Sequence, residues 1–260
     1  MDIIVLVKQV PDPEALVEIG ASGKDLNIEP KFAVNLFDEF ALEEALRIKE
    51  KHGGKVKALS LGGPKAMEAL RTAIAMGADE AVLIEDEAYA ARDGYSTALA
   101  LFKALERETF DILLTGRQAI DADRGEVPQM VAQFLGLPHV GVVVKLDISD
   151  GKAMAESSLE GAKEVVEVDL PAVFTAQKGL NEPRVPLITG VMKAMKVQIP
   201  KLTIEDLGFT KDMAAPENSK TKIVRYLPPK KRPAVQLIPG EAREAAAEAV
   251  RILMDVERVI

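Results

Sequence analysis

The chain has 260 residues, 48% of them apolar and 28% charged, with a formal net charge of −8 and no cysteine. Such a length and balance can bury a full core, as one large domain or a domain with an appendage, and excludes wholesale disorder. The acidic balance argues against nucleic acid as the main partner, and the missing thiols exclude disulfides, thiolate nucleophiles and iron–sulfur ligation within the chain.

Ile3-Ile4-Val5-Leu6-Val7 reads as a buried strand closed by a turn over Lys8–Asp12. Residues 38–51 place Phe40, Ala41, Ala45, Leu46 and Ile48 at helical spacing, and Gly53-Gly54 stops that helix. A strand over 56–61 leads through Gly62-Gly63-Pro64 into a helix over 65–76, and a third strand covers 81–84. A helix over 95–108, a strand over 112–116 and a helix over 126–135 follow. Strands separated by helices of this length specify a parallel sheet with helices on its faces.

After Pro138 the texture changes. Residues 140–148 and 152–168 read as a hairpin around Ser149-Asp150-Gly151, followed by a strand over 170–176 and a short helix over 187–196. Residues 210–233 lose periodicity and end in Pro228-Pro229-Lys230-Lys231-Arg232-Pro233. Gly240 then precedes an amphipathic helix over 241–257, with Ala245, Ala249, Ile252, Leu253 and Val256 on one side. The expected organisation is an α/β domain over 1–209 and a Pro-rich, helical arm over 210–260 that docks on its own domain or, in the sharper reading, on a partner chain.

No apolar stretch reaches the roughly 20 residues of a bilayer span, and the N-terminus lacks a signal-peptide pattern. The reading is a cytoplasmic globular protein without membrane insertion. Met67, Met76, Met192 and Met195 read as core filling, and Lys230-Lys231-Arg232 as a solvated face.

Ligands of parallel α/β sheets bind outside the carboxyl ends of the strands, so the candidate loops are Lys8–Asp12, Asn35–Asp38, Ser60–Pro64 and Gly116–Gln129. Glycines beside helix N-termini in these loops suit a nucleotide phosphate. The dinucleotide fingerprint, the P-loop and the serine nucleophile elbow are all missing. Only His52 and His139 supply imidazole, which disfavours a histidine-rich metal site. Asp121, Asp123 and Glu126 lack the remaining ligands of a calcium loop, leaving helix capping and direct ligand contact as alternatives.

Several segments resemble the β subunit of electron transfer flavoprotein. They are Val7-Lys8-Gln9-Val10-Pro11-Asp12, Asn35, Ala73-Ile74-Ala75-Met76-Gly77-Ala78-Asp79 and Gln118-Ala119-Ile120-Asp121-Ala122-Asp123. Leu170–Ala176, Leu180-Asn181-Glu182-Pro183-Arg184 and Met192-Lys193-Ala194 extend the likeness over nearly the whole chain. The resemblance implies an adenine-nucleotide α-hydrolase-like, Rossmann-like core with an added hairpin and an extended C-terminal arm. It also implies a heterodimer with an α subunit that holds FAD, while the β subunit binds AMP. Carried over by position, the nucleotide contacts fall on Leu6, on Asn35, Leu36, Phe37 and Asp38, and on Leu61. They continue through Gly116, Arg117, Gln118, Ala119, Ile120, Asp121, Ala122, Asp123, Arg124, Gly125, Glu126 and Val127.

The segment offered to dehydrogenases falls on Pro186, Leu187, Ile188, Thr189 and Gly190, with Ile188 as the apolar anchor. The implied role is an electron carrier in fatty acid oxidation rather than an enzyme. It passes electrons from flavin dehydrogenases such as acyl-CoA dehydrogenases to a quinone-linked oxidoreductase. A bifurcating form of the family would hold a second FAD in place of AMP and react with NADH. A stand-alone adenine-nucleotide-binding module is the alternative from another class. The chain departs from the family pattern at Glu126, Val127 and Pro128, at Ser157, where a basic residue is usual, and at Pro13, where a tyrosine is usual.

Overall fold

Alternation along the first strand sorts its side chains to two faces: Ile3, Val5 and Val7 join one buried cluster, Ile4 and Leu6 another. In the computed structural model, which describes residues 1–86, 93–209, 219–232, 234–235 and 237–259, this strand is β1 (Asp2–Leu6). Between it and the first helix lie two small antiparallel ribbons that the sequence reading left unassigned. β2 (Gln9–Pro11) pairs with β5 (Phe32–Val34), and β3 (Val17–Ile19) pairs with β4 (Leu26–Ile28).

The expected alternation follows as α1 (Leu36–His52), β6 (Lys55–Gly62), α2 (Met67–Met76), β7 (Glu80–Glu85), α3 (Gly94–Leu105), β8 (Ile112–Gly116) and α4 (Val127–Leu135). Three of the helix stops have a local cause. Gly53, Gly77 and Gly136 follow α1, α2 and α4 with positive φ, the conformation glycine adopts without steric cost. Asp93 and Ser96 close a capping box at the start of α3.

The expected hairpin is instead a three-stranded meander of β9 (His139–Ser149), β10 (Lys152–Leu159) and β11 (Ala162–Asp169). A second turn, at Glu160-Gly161 with Gly161 at φ 73°, splits the run read as one strand over 152–168. β12 (Ala172–Ala176), α5 (Ile188–Lys196), a short β13 (Lys201–Thr203) and α6 (Ala242–Arg251) complete the described elements. A π-helical turn at Ile252–Val256 continues α6. Of the Pro-rich linker read over 210–233, residues 210–218 and 233 lie outside the described residues.

The sheet runs β11-β10-β9-β12-β8-β1-β6-β7-β13. All seven strands from β9 to β13 pair in parallel, and β10 and β11 add an antiparallel edge. α1 and α2 contribute Leu42, Leu46, Leu70 and Ile74 to the core on one face. α3 and α4 contribute Leu101, Leu105 and Val131 to the core on the other. The chain moves outward from β1 through β6 to β7, then returns to place β8 on the other side of β1. The connections leaving β1 and β8 therefore diverge and leave a crevice beyond their carboxyl ends.

Candidate functional site

The first turn of α1 points into that crevice. Asp38 is buried, and its carboxylate accepts from the backbone N–H of Lys8 just after β1 (2.7 Å) and of Gly116 at the end of β8 (2.9 Å). One side chain thus ties three elements together where the two strands diverge. Burial pushes its carboxyl up to about 7, although Asn35 and the two backbone donors favour the charged form. Gly116 has no room for a side chain: a Cβ there would lie 2.7 Å from the Phe37 carbonyl carbon and would also strike the Asp38 carboxylate.

Asn35, fully buried, organises the loop that follows β8. Its amide donates to the Gln118 carbonyl (2.9 Å), and its carbonyl oxygen accepts from the Ile120 N–H (3.1 Å). The Lys8 ammonium donates to both oxygens of Asp121 (2.8 and 2.7 Å), closing the loop against β1. The Arg117 guanidinium lies 5.4 Å from the centroid of the Phe37 ring. Gln118 donates to Asp123, and Asp123 and Gly125 both have left-handed backbones, at φ 56° and 61°.

The structure therefore brings Asn35–Asp38 together with 116–123 and with Lys8, the first residue of the candidate loop Lys8–Asp12. Leu6 faces the core under α3 and α4, and Leu61 packs against the same cluster. Glu126 turns toward the start of α3, where its carboxylate fills the space a side chain at Gly94 would need. Glu126 occupies the N-cap position of α4 without a side-chain capping bond. Capping is thus not the use of the three acidic residues, since Asp121 pairs with Lys8 and Asp123 accepts from Gln118.

Pro186–Gly190 lead into and begin α5 on the face beyond α2, away from the crevice, with Leu187 and Ile188 exposed. Met192 and Met195 on the same helix are also exposed, which corrects their reading as core; Met76 is buried and Met67 packs against the core. Ser157 is buried in β10 and donates to the Gly141 carbonyl (2.5 Å).

The described part of the C-terminal arm is anchored at its root. The Thr221 N–H donates to the Asp93 carboxylate (2.9 Å), and the Tyr226 N–H to the Gly23 carbonyl (2.8 Å). Beyond these points Leu227, Val235, Leu237, Met254 and Val256 are exposed, and no residue of α6 is buried. Among the described residues no helix is long and apolar enough to cross a membrane.

A parallel sheet covered on both faces, with a built crevice at its switch point, defines a Rossmann-like α/β protein. The electron transfer flavoprotein domain family matches residues 28–207. The electron transfer flavoprotein subunit beta of Bacillus subtilis is 40% identical over 261 residues, covering 100% of both chains. That of Thermoanaerobacterium thermosaccharolyticum is 43% identical over 256 residues, covering 97% of this chain and 98% of the relative. Subunit CarD of the caffeyl-CoA reductase–Etf complex of Acetobacterium woodii is 35% identical, covering 92% of each chain. The chain belongs to the electron transfer flavoprotein family, among its β subunits, with an electron-transfer role and an α-subunit partner.

Proposed function

We propose that this β subunit binds AMP in the switch-point crevice and encloses the FAD of its α subunit, carrying electrons from flavin dehydrogenases to a quinone-linked acceptor. One observation carries the nucleotide reading: Lys8, Asn35, Asp38 and the 116–123 loop converge at the end of β1 and β8. Gly116 lets the first turn of α1 close on the end of β8, and the left-handed residues at Asp123 and Gly125 suit a loop whose N–H groups converge on an anion. Arg117 and Arg124 add cationic groups to the same loop. The residues present fit an adenylate.

The bound flavin supplies the redox chemistry, while this chain supplies binding, orientation and a docking surface. The exposed apolar arm supports the heterodimer, because a tail with an uncovered apolar face needs a second surface. Pro186–Gly190 serve as the dehydrogenase-facing segment in this reading, exposed at Leu187 and Ile188.

A second reading is FAD in place of AMP with NADH as donor; Glu126 and Pro128 bear on both nucleotides alike, since each carries phosphate. The two residues bring a negative charge and remove an N–H donor at the start of α4, where a phosphate would otherwise find donors. Denaturing the purified heterodimer and quantifying the released small molecules decides between the two readings. One FAD and one AMP per heterodimer is the expected result. Two FAD without AMP would establish the second reading, and a monomer yielding no flavin would establish a stand-alone nucleotide-binding module.

A further inference from the structure

The apolar segment around α5 is exposed, yet it is held at both ends. Val185, Leu187 and Ile188 are 84%, 74% and 80% exposed, and Met192 and Met195 extend the ridge along α5. Immediately before it, the Arg184 guanidinium reaches across to α1. Its Nε and Nη2 donate to Glu43 (2.8 and 3.2 Å), and its Nη1 and Nη2 donate to Glu50 (2.6 and 3.3 Å). The Glu43 side chain is only 3% exposed and also accepts from Arg47. Asn181, three residues earlier, donates to the Phe40 carbonyl and to Glu44. At the far end, Arg71 of α2 donates to the Ala194 carbonyl (2.5 Å), while Gly190 sits so close to the Ala75 carbonyl that no side chain fits between.

We infer that Arg184 and Arg71 are positioning residues that preset the conformation of this ridge for insertion into an apolar pocket of a partner dehydrogenase. The inference rests on the reading of Pro186–Gly190 as the docking segment. Its physical basis is that a ridge fixed before contact loses less conformational freedom on docking than a loose one. Arginine suits the task because its planar fork presents separate nitrogens to two carboxylates in a fixed geometry, where a lysine ammonium offers a single nitrogen.

The absence of cysteine makes a direct test available. A nitroxide placed on Leu187→Cys in the full chain, before assembly with the α subunit, reports the mobility of the ridge. A second label on Val165→Cys, on the exposed β11 edge, reports the fold. Arg184→Ala and Arg71→Ala are each expected to shorten the rotational correlation time at position 187 about threefold while leaving position 165 unchanged. Arg184→Lys is expected to fall between native and Arg184→Ala. Unchanged mobility at 187 in both alanine variants would overturn the inference. If Arg184→Ala also mobilises position 165, Glu50→Ala decides in its place, because it removes only the solvent-facing arm of the clamp.

In the heterodimer, with a reduced acyl-CoA dehydrogenase as donor, the arginine variants are expected to raise KM about tenfold at unchanged kcat. Ile188→Ala is expected to raise KM without mobilising the label. If Ile188→Ala leaves KM unaltered, the docking assignment fails, whereas the label still decides whether the arginines hold the ridge.

Discussion

The switch-point crevice and the C-terminal arm differ in how far their side chains find partners within the chain. In the crevice, Asp38 receives two backbone N–H groups, Asn35 bonds the following loop through both amide atoms, and Lys8 closes on Asp121. In the arm, backbone hydrogen bonds from Thr221 and Tyr226 help fix the root, after which apolar side chains stand uncovered and no residue of α6 is buried. A region whose polar groups are satisfied within the chain holds its shape without a second surface. A region whose apolar groups are uncovered is stable only against another surface. The comparison teaches that one chain can carry a crevice whose polar groups are paired from within beside an arm whose apolar groups stand uncovered.

The sharpest way to break this contrast is to remove the arm. Deleting residues 227–260 is expected to weaken heterodimer formation by at least about 100-fold, equivalent to about 3 kcal/mol, as read by analytical ultracentrifugation. The remaining chain should unfold in denaturant within about 0.5 kcal/mol of the full one. Full-strength association of the truncated chain would show that the arm is not the interface.

Asp38 tests the crevice through pH. Its native carboxyl titrates near 7, above its ordinary 3.8, so between these values the folded state holds a proton that the unfolded state has lost. Stability is therefore expected to fall as pH rises from about 4 to about 7, by up to about 4 kcal/mol from this group alone, and then to level off. Asp38→Asn is expected to flatten that stretch of the Tm-against-pH curve; an unaltered slope would exclude Asp38 as its source.

Packing gives the next effect. Gly116→Ala is expected to cost about 2–3 kcal/mol in urea unfolding and to release bound nucleotide, because the new Cβ meets Phe37 backbone that has little room to move. The smallest effect falls on the rim. Lys8→Ala breaks a half-exposed ion pair with Asp121 and is expected to change stability by less than about 1 kcal/mol, while raising the nucleotide Kd measured by calorimetry.

Much of the fold was legible along the chain. The alternation of Ile3, Val5 and Val7 against Ile4 and Leu6 announces a strand buried on both faces, and the glycines at 53, 77 and 136 mark helix ends. The ribbons at 9–34 were not legible, because three-residue strands are too short to show a period. The Glu160-Gly161 turn was passed over because strand-like residues flank it on both sides. The site was legible as a set of strand-end loops, but its wiring was not. Asp38 reads locally as an ordinary acidic residue in the first turn of a helix, and only its approach to Gly116, 78 positions away, makes it a buried tie.

What the sequence by itself determined was the set of elements, the sidedness of each strand and the family likeness. Those depend on residues close together in the chain and on the spacing of apolar positions. The tertiary structure alone decided that Asn35, Asp38 and Lys8 share one crevice and that Arg184 meets Glu43 across 141 positions. It also decided that Met192 and Met195 face solvent. Burial and polar pairing are properties of what lies across the space between elements, and local spacing carries no record of that.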